Sequence, residues 1–150
     1  MSPGRTRLSA DAPLHPYFDA SSVVKLVLKE DESDALRSFA APNESWVSSE
    51  IVVAESTRAV RRNAAVRPDD EEALLARLRD VVRGLTLIAL DRPLLDRAGR
   101  VEPRSLRTID AIHVATALAL PARVSFVSYD KRQLEAARSA GLQTASPGAV

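Results

Sequence analysis

Arg107-Thr108-Ile109-Asp110-Ala111-Ile112-His113-Val114-Ala115-Thr116-Ala117-Leu118 has the pattern of a helix with apolar residues on nearly every side and one acid near its start. Ile112, Ala115 and Ala119 fall along one face and Ile109, Val114, Ala117 and Leu118 cover the rest, so other elements must enclose it. Thr108 is the expected N-cap, which sets Asp110 in the first turn, where the positive end of the helix dipole favours a carboxylate. Pro121 ends the helix. Val124-Ser125-Phe126-Val127-Ser128 follows as a short apolar strand, then Asp130 and a helix from Lys131 that Gly141 terminates. An enclosed helix feeding a buried strand is the unit of an α/β domain. A carboxylate at the mouth of such a helix needs a partner.

The same alternation precedes this stretch. Pro16-Tyr17-Phe18 is an apolar run ending at Asp19, with Ser21 and Ser22 as cap candidates for a buried helix carrying Val23, Val24, Leu26, Val27 and Leu28. Residues 32–41 predict a more polar helix, Pro42-Asn43-Glu44 a turn, and Trp46-Val47-Ser48 a strand. Ser48 or Ser49 then starts a helix through Ile51, Val52, Glu55 and Ala59 to Asn63. Pro68-Asp69-Asp70-Glu71-Glu72 marks the next helix start, and Leu74, Leu75, Leu78, Val81 and Val82 form its apolar stripe before Gly84. Residues 85–90 are the clearest strand, Arg92-Pro93 opens a short helix, and Leu142-Gln143-Thr144 is a last edge strand. Strands separated by helices imply a central parallel sheet of four to five strands, covered on both faces. The expected organisation is one domain over residues 16–147, a flexible lead-in over 1–15 and a tail over 148–150.

Composition narrows the function. A 150-residue chain can bury about two thirds of the surface that its unfolded form exposes, so no staple is needed. Lys and Arg total 21 against 20 for Asp and Glu, which excludes a global basic field, so any nucleic-acid contact must use a local patch. The absence of cysteine removes disulfides, thiolate zinc sites and cysteine nucleophiles, and fits a cytoplasmic protein. Two histidines, His15 and His113, cannot build a histidine-rich metal centre. No run has signal-peptide or membrane-span character. Glycine motifs for dinucleotides or P-loop phosphates are missing.

In open α/β sheets, ligands bind beyond the carboxyl ends of the strands, where strand order reverses. Asp19 and Asp130 follow strands, Asp110 opens a helix that starts near the same edge, and Glu55 rides on an apolar stripe with Ile51, Val52 and Ala59. Each also has a purely structural reading: Asp130 with Gln133 as a capping box, Asp19 as a turn acid, and Glu55 in an ion pair with Arg58 or Arg62. Asp91 before Arg92-Pro93 is assigned to capping alone. If the four acids converge, their repulsion demands cations, and oxygen-only ligands select Mg²⁺ or Mn²⁺. Such ions serve in-line displacement at phosphorus, which here means phosphodiester hydrolysis.

Tyr17-Phe18-Asp19-Ala20-Ser21, Ser48 through Glu55, Leu106 through Ala117 and Ser128-Tyr129-Asp130 resemble the successive motifs of PIN-domain ribonucleases, in particular the VapC toxins of type II toxin–antitoxin modules. The likeness runs from about Pro16 to Pro147. It implies a PIN-like three-layer α/β/α domain, Mg²⁺- or Mn²⁺-dependent endoribonuclease activity, inhibition by a cognate VapB-type antitoxin, and a homodimer. By position, Asp19, Glu55, Asp110 and Asp130 match the acidic quartet, both catalytic and metal-holding, and Ser21 matches the hydroxyl supporting the first aspartate. Lys131, Arg132, Gln133 and Leu134 stand where many relatives carry a further acid and an aromatic, which sets Asp130 apart.

Arg58, Arg61, Arg62 and Arg67 form a basic run beside Glu55, a candidate RNA-phosphate surface or a solvated helix face, and Arg107 is a stronger candidate for phosphate contact. His113 is assigned to packing or hydrogen bonding and Trp46 to the core. Two alternatives remain: a catalytically inactive PIN-fold binding module, and a receiver-like Mg²⁺-binding signalling domain. The latter would need a phosphoacceptor Asp after a central strand, for which Asp91 is a poor candidate, and a strand-end Lys, which does not follow the apolar strands. Which RNA is cut, the antitoxin, the number of metal ions and the oligomer geometry are not encoded in any motif.

Overall fold

The computed structural model describes residues 14–43, 45–64 and 70–150. In chain order the elements are β1 (His15–Phe18), α1 (Ala20–Val27), α2 (Ser33–Ala40), β2 (Trp46–Ser49), α3 (Val52–Ala64), α4 (Glu71–Arg83), β3 (Leu85–Ile88), α5 (Arg92–Ala98), α6 (Thr108–Ala119), β4 (Val124–Val127), α7 (Lys131–Ser139) and β5 (Gln143–Ala145). Glu44, Arg67, Pro68 and Asp69, which the sequence placed in a turn, a basic run and a helix start, lie outside the described residues.

All strand pairs are parallel and the order is β3-β2-β1-β4-β5. The chain builds outward from β1 to β3, then crosses to the other side of β1 for β4 and β5. Parallel crossovers are right-handed, so this reversal sends the two sets of helices to opposite faces. Accordingly α1 to α4 gather on one face and α5 to α7 on the other, giving three layers.

The alternation along each strand divides the core. Tyr17 and Phe126 point to the α6–α7 side, where their rings stack at 5.3 Å. Phe18 and Val127 point to the α1–α4 side, where Phe18 meets the edge of Trp46 at 5.6 Å. Trp46, expected in the core, is partly buried and packs against it, and its indole N–H donates to the Ala40 carbonyl. The apolar helix is enclosed as expected: Asp110 through Ala117 are all buried. Among the described residues no helix is long and apolar enough to cross a membrane.

Three local expectations shift by a residue or more. The N-cap of α1 is Asp19, whose carboxylate accepts from the Ser22 amide, and Ser21 and Ser22 lie inside the first turn. Ser48 and Ser49 belong to β2, and α3 begins at Val52, because the Ser48 hydroxyl donates to the Phe18 carbonyl in the neighbouring strand. At α6 the N-cap is Arg107, with no side-chain cap bond, and Thr108 is the first helical residue. Asp91 caps α5 through the Leu94 amide, and Gly141 after α7 takes φ 97°, a conformation that L side chains rarely adopt.

Phe18 is fully buried in the central strand. Phe18→Ala should cost about 3–5 kcal/mol in chemical denaturation; a loss below about 1 kcal/mol would contradict this placement of the core.

Candidate active site

The sheet reverses its order between β1 and β4, so a crevice opens above their carboxyl ends. Phe18 and Val127 are the last paired residues, and Asp19 and Ser128 follow them. Four of the helices that begin at this edge each bring one acid to the crevice from their start. Asp19 caps α1, Asp130 caps α7, Glu55 lies in the first turn of α3 and Asp110 in the first turn of α6. All four line a single open cleft of about 520 Å³, together with Ser21, Lys25, Arg58, Arg62, Arg107 and His113.

Asp19 is held hardest. Its Oδ1 accepts from the Ser21 hydroxyl at 2.7 Å and the Ser22 amide at 3.0 Å, and its Oδ2 accepts from the Ser128 hydroxyl at 2.6 Å. Ser21 in turn accepts from the Tyr129 amide, which ties the start of α1 to the end of β4. The supporting hydroxyl at Ser21 is therefore in place. Ser128 is a second support for the same carboxylate that sequence reasoning missed, because it lies 109 positions away.

Glu55 forms neither of the ion pairs weighed from sequence; its Oε1 lies 2.6 Å from Nε2 of His113. Nδ1 of that ring is 2.9 Å from the Tyr17 hydroxyl. A carboxylate only accepts, so Nε2 carries the proton, and Nδ1 of a neutral ring accepts from Tyr17. Tyr17 is fully buried, and burial foremost pushes its hydroxyl well above the usual tyrosine value, so it remains a donor. His113 thus has the hydrogen-bonding role that the sequence assigned it, aimed at a site residue.

Arg107 bridges the remaining pair, with Nε 3.0 Å from Asp110 Oδ2 and Nη2 3.1 Å from Asp130 Oδ2. The other oxygen of Asp130 accepts from the Arg132 and Gln133 amides, so this residue caps its helix with one oxygen and faces the cleft with the other. Gln133 does not reach back to close the box: its Oε1 lies 3.2 Å from the Ser128 hydroxyl, whose single proton goes to Asp19, and its buried Nε2 has no partner among the described residues. Asp110 is 8 % exposed, and its carboxyl sits above the ordinary carboxylate value. Burial is the largest cause; the Arg107 hydrogen bond and charge oppose it, and the charges of Asp130 and Glu55 add to it.

The basic run divides. Arg58 and Arg62, one turn apart, line the cleft and form no ion pair among the described residues, whereas Arg61 turns away to Glu71. Lys25 is engaged by Glu30 and Glu32 at 2.6 and 3.0 Å. As they stand, no three His, Asp or Glu side chains among the described residues form a set that could hold a metal ion. Arg107, His113 and the serines each engage an oxygen of these acids.

A family model described as PIN domain matches residues 17–139. Ribonuclease VapC46 of Mycobacterium tuberculosis is 37 % identical over 132 residues, covering 87 % of this chain and 96 % of the relative. Ribonuclease VapC47 of the same species is 34 % identical over 139 residues, covering 89 % and 98 %. Among solved structures, Mycobacterium tuberculosis VapC20, described as a sarcin-ricin loop cleaving toxin, superposes with a TM-score of 0.66 at 16 % identity, covering 87 % of this chain and 98 % of that one. VapBC2 from Rickettsia felis, bound to a DNA fragment from its promoter, gives 0.64 at 15 % identity, covering 88 % and 98 %. At these identities the structural likeness speaks for the fold.

A carboxyl that ionises less readily in the folded chain than in the unfolded one stabilises the fold only while protonated. That contribution is complete below the unfolded carboxylate value and lost as pH rises through the folded one. In metal-free buffer at pH 7, Asp110→Asn should therefore match or exceed the wild-type melting temperature, and the difference should close as pH falls through about 4. A variant melting several degrees lower at pH 7 would contradict the burial argument.

Proposed function

The chain belongs to the PIN-domain family, among the VapC-type ribonuclease toxins, and on that premise we propose that it is a Mg²⁺- or Mn²⁺-dependent endoribonuclease. The observation that carries the proposal is the convergence of Asp19, Glu55, Asp110 and Asp130, each from a different helix start, on one cleft at the switch point of the sheet. The donor chemistry fits a hard divalent ion, since every site acid offers oxygen and the set is over-supplied with negative charge. Asp19, Glu55, Asp110 and Asp130 are the residues that would hold it. When bound, such an ion stabilises charge on the phosphate in flight and lowers the pKa of the attacking water.

The chain's own residues do the rest. Ser21, Ser22 and Ser128 fix the orientation of the Asp19 carboxylate, so it presents the same lone pairs at every turnover. Tyr17 and His113 do the same for Glu55. Arg58 and Arg62 offer charge for RNA phosphates on the α3 side of the cleft. A VapB-type antitoxin is the proposed partner, a homodimer the proposed assembly, and the cytoplasm the proposed location.

The purified chain, freed of any partner, should cut total cellular RNA with Mg²⁺ and not with chelator. Asp19→Asn and Asp110→Asn should each lower the rate by about two orders of magnitude or more, beyond the roughly 10–100-fold expected for losing a supporting group. Cleavage retained by both variants, or unaffected by chelator, would overturn the assignment. No cleavage by the wild type under any of these conditions would point to the inactive binding module.

A further inference from the structure

Arg107 is the one cation that touches two of the four acids among the described residues. Its guanidinium spans from the first turn of α6 to the cap of α7, although Arg107 and Asp130 are 23 positions apart in sequence. Its side chain is 75 % exposed, and these two contacts are the ion pairs it forms among the described residues. It also stands at the N-cap of α6, a position where Ser, Thr, Asp or Asn would serve the helix better, and makes no capping bond there. The position is thus poorly suited to the helix and well suited to the carboxylates.

We propose that Arg107 is an internal counter-ion: it neutralises Asp110 and Asp130 in the metal-free chain and must give up both carboxylates when a divalent ion binds. The inference rests on the metal-dependent reading above. Two effects act in the same direction. The ion displaces the two Arg107 contacts, and it approaches a site already holding one positive charge. Removing Arg107 therefore tightens metal binding, whereas removing a structural support of the site would weaken it. Exposed ion pairs contribute little each, so the gain is modest, and the exposed stem lets the side chain swing clear without disturbing the core.

Calorimetric titration of Mn²⁺ into the purified, antitoxin-free chain tests this, with melting temperatures recorded alongside. Arg107→Gln should bind Mn²⁺ roughly three- to tenfold more tightly than wild type. It should also melt lower without metal and gain more on adding it. Arg107→Lys keeps the charge but cannot bridge two carboxylates as the planar fork does, so it should fall between the two. Arg58→Gln removes a cation lining the same cleft that touches none of the acids, and it should change the affinity about twofold or less. Equal tightening by Arg107→Gln and Arg58→Gln would reduce the effect to net charge and overturn the counter-ion role. So would affinity in Arg107→Gln equal to or weaker than wild type, which leaves the metal-dependent reading standing. A wild type that takes up no Mn²⁺ at millimolar concentration overturns that reading and the counter-ion role with it.

Discussion

Repulsion among four carboxylates facing one hollow is the constraint around which this fold is arranged. At an effective dielectric of about 20, two such charges near 4 Å cost on the order of 4 kcal/mol. The topology supplies the first compensation. Because α1, α3, α6 and α7 all begin at the carboxyl edge of the sheet, each acid sits at the positive end of a helix. That is worth about 0.3–1 kcal/mol per acid, less than a pair at that separation would cost. Hydrogen bonds from Ser21, Ser22 and Ser128, from His113, and from Arg107 add to it, and each is aimed at a different acid or pair. Asp110 still ionises less readily than a free carboxylate, chiefly because it is buried, with the charges of Asp130 and Glu55 adding to the effect.

This arrangement explains why Asp19, Asp110 and Asp130 carry both a structural and a site reading in sequence. Asp19 and Asp130 do cap their helices, and Asp110 does lie in a first turn where the dipole favours it. The capping role and the site role are the same placement seen at two scales, since a helix start beside the switch point is also a position on the cleft. Asp91 also caps a helix, yet it does not line the cleft. What separates it is strand order: β3 lies at the outer edge of the sheet, two strands from β1 and the switch point.

The enclosed helix 108–119 and the strand 124–127 were legible because burial on all sides leaves an unbroken apolar pattern, and a strand buried on both faces does the same. Helix starts were less legible. Serines at 21, 22, 48 and 49 all carry the chemistry of caps, but Ser48 bonds across the sheet to Phe18 and Ser21 bonds to Asp19, choices set by the folded surroundings of each hydroxyl. The supports of the site were hidden for the same reason. Ser128 meets Asp19, and Tyr17 meets His113, across 109 and 96 positions, and no local periodicity records such a pairing. The identity of the acids is thus a local property of the chain, whereas their mutual restraint is a property of the fold.

The claim on which the functional reading depends is that these acids share a single divalent ion or ion pair. A crystal of the chain grown with Mn²⁺ and measured for anomalous scattering tests it most directly. The arrangement predicts a manganese peak in the cleft within coordination distance of Asp19 and at least one other of the four carboxylates, with the Arg107 guanidinium moved off Asp110. A cleft without a peak at saturating Mn²⁺, or manganese bound only to acids outside it, would contradict the claim.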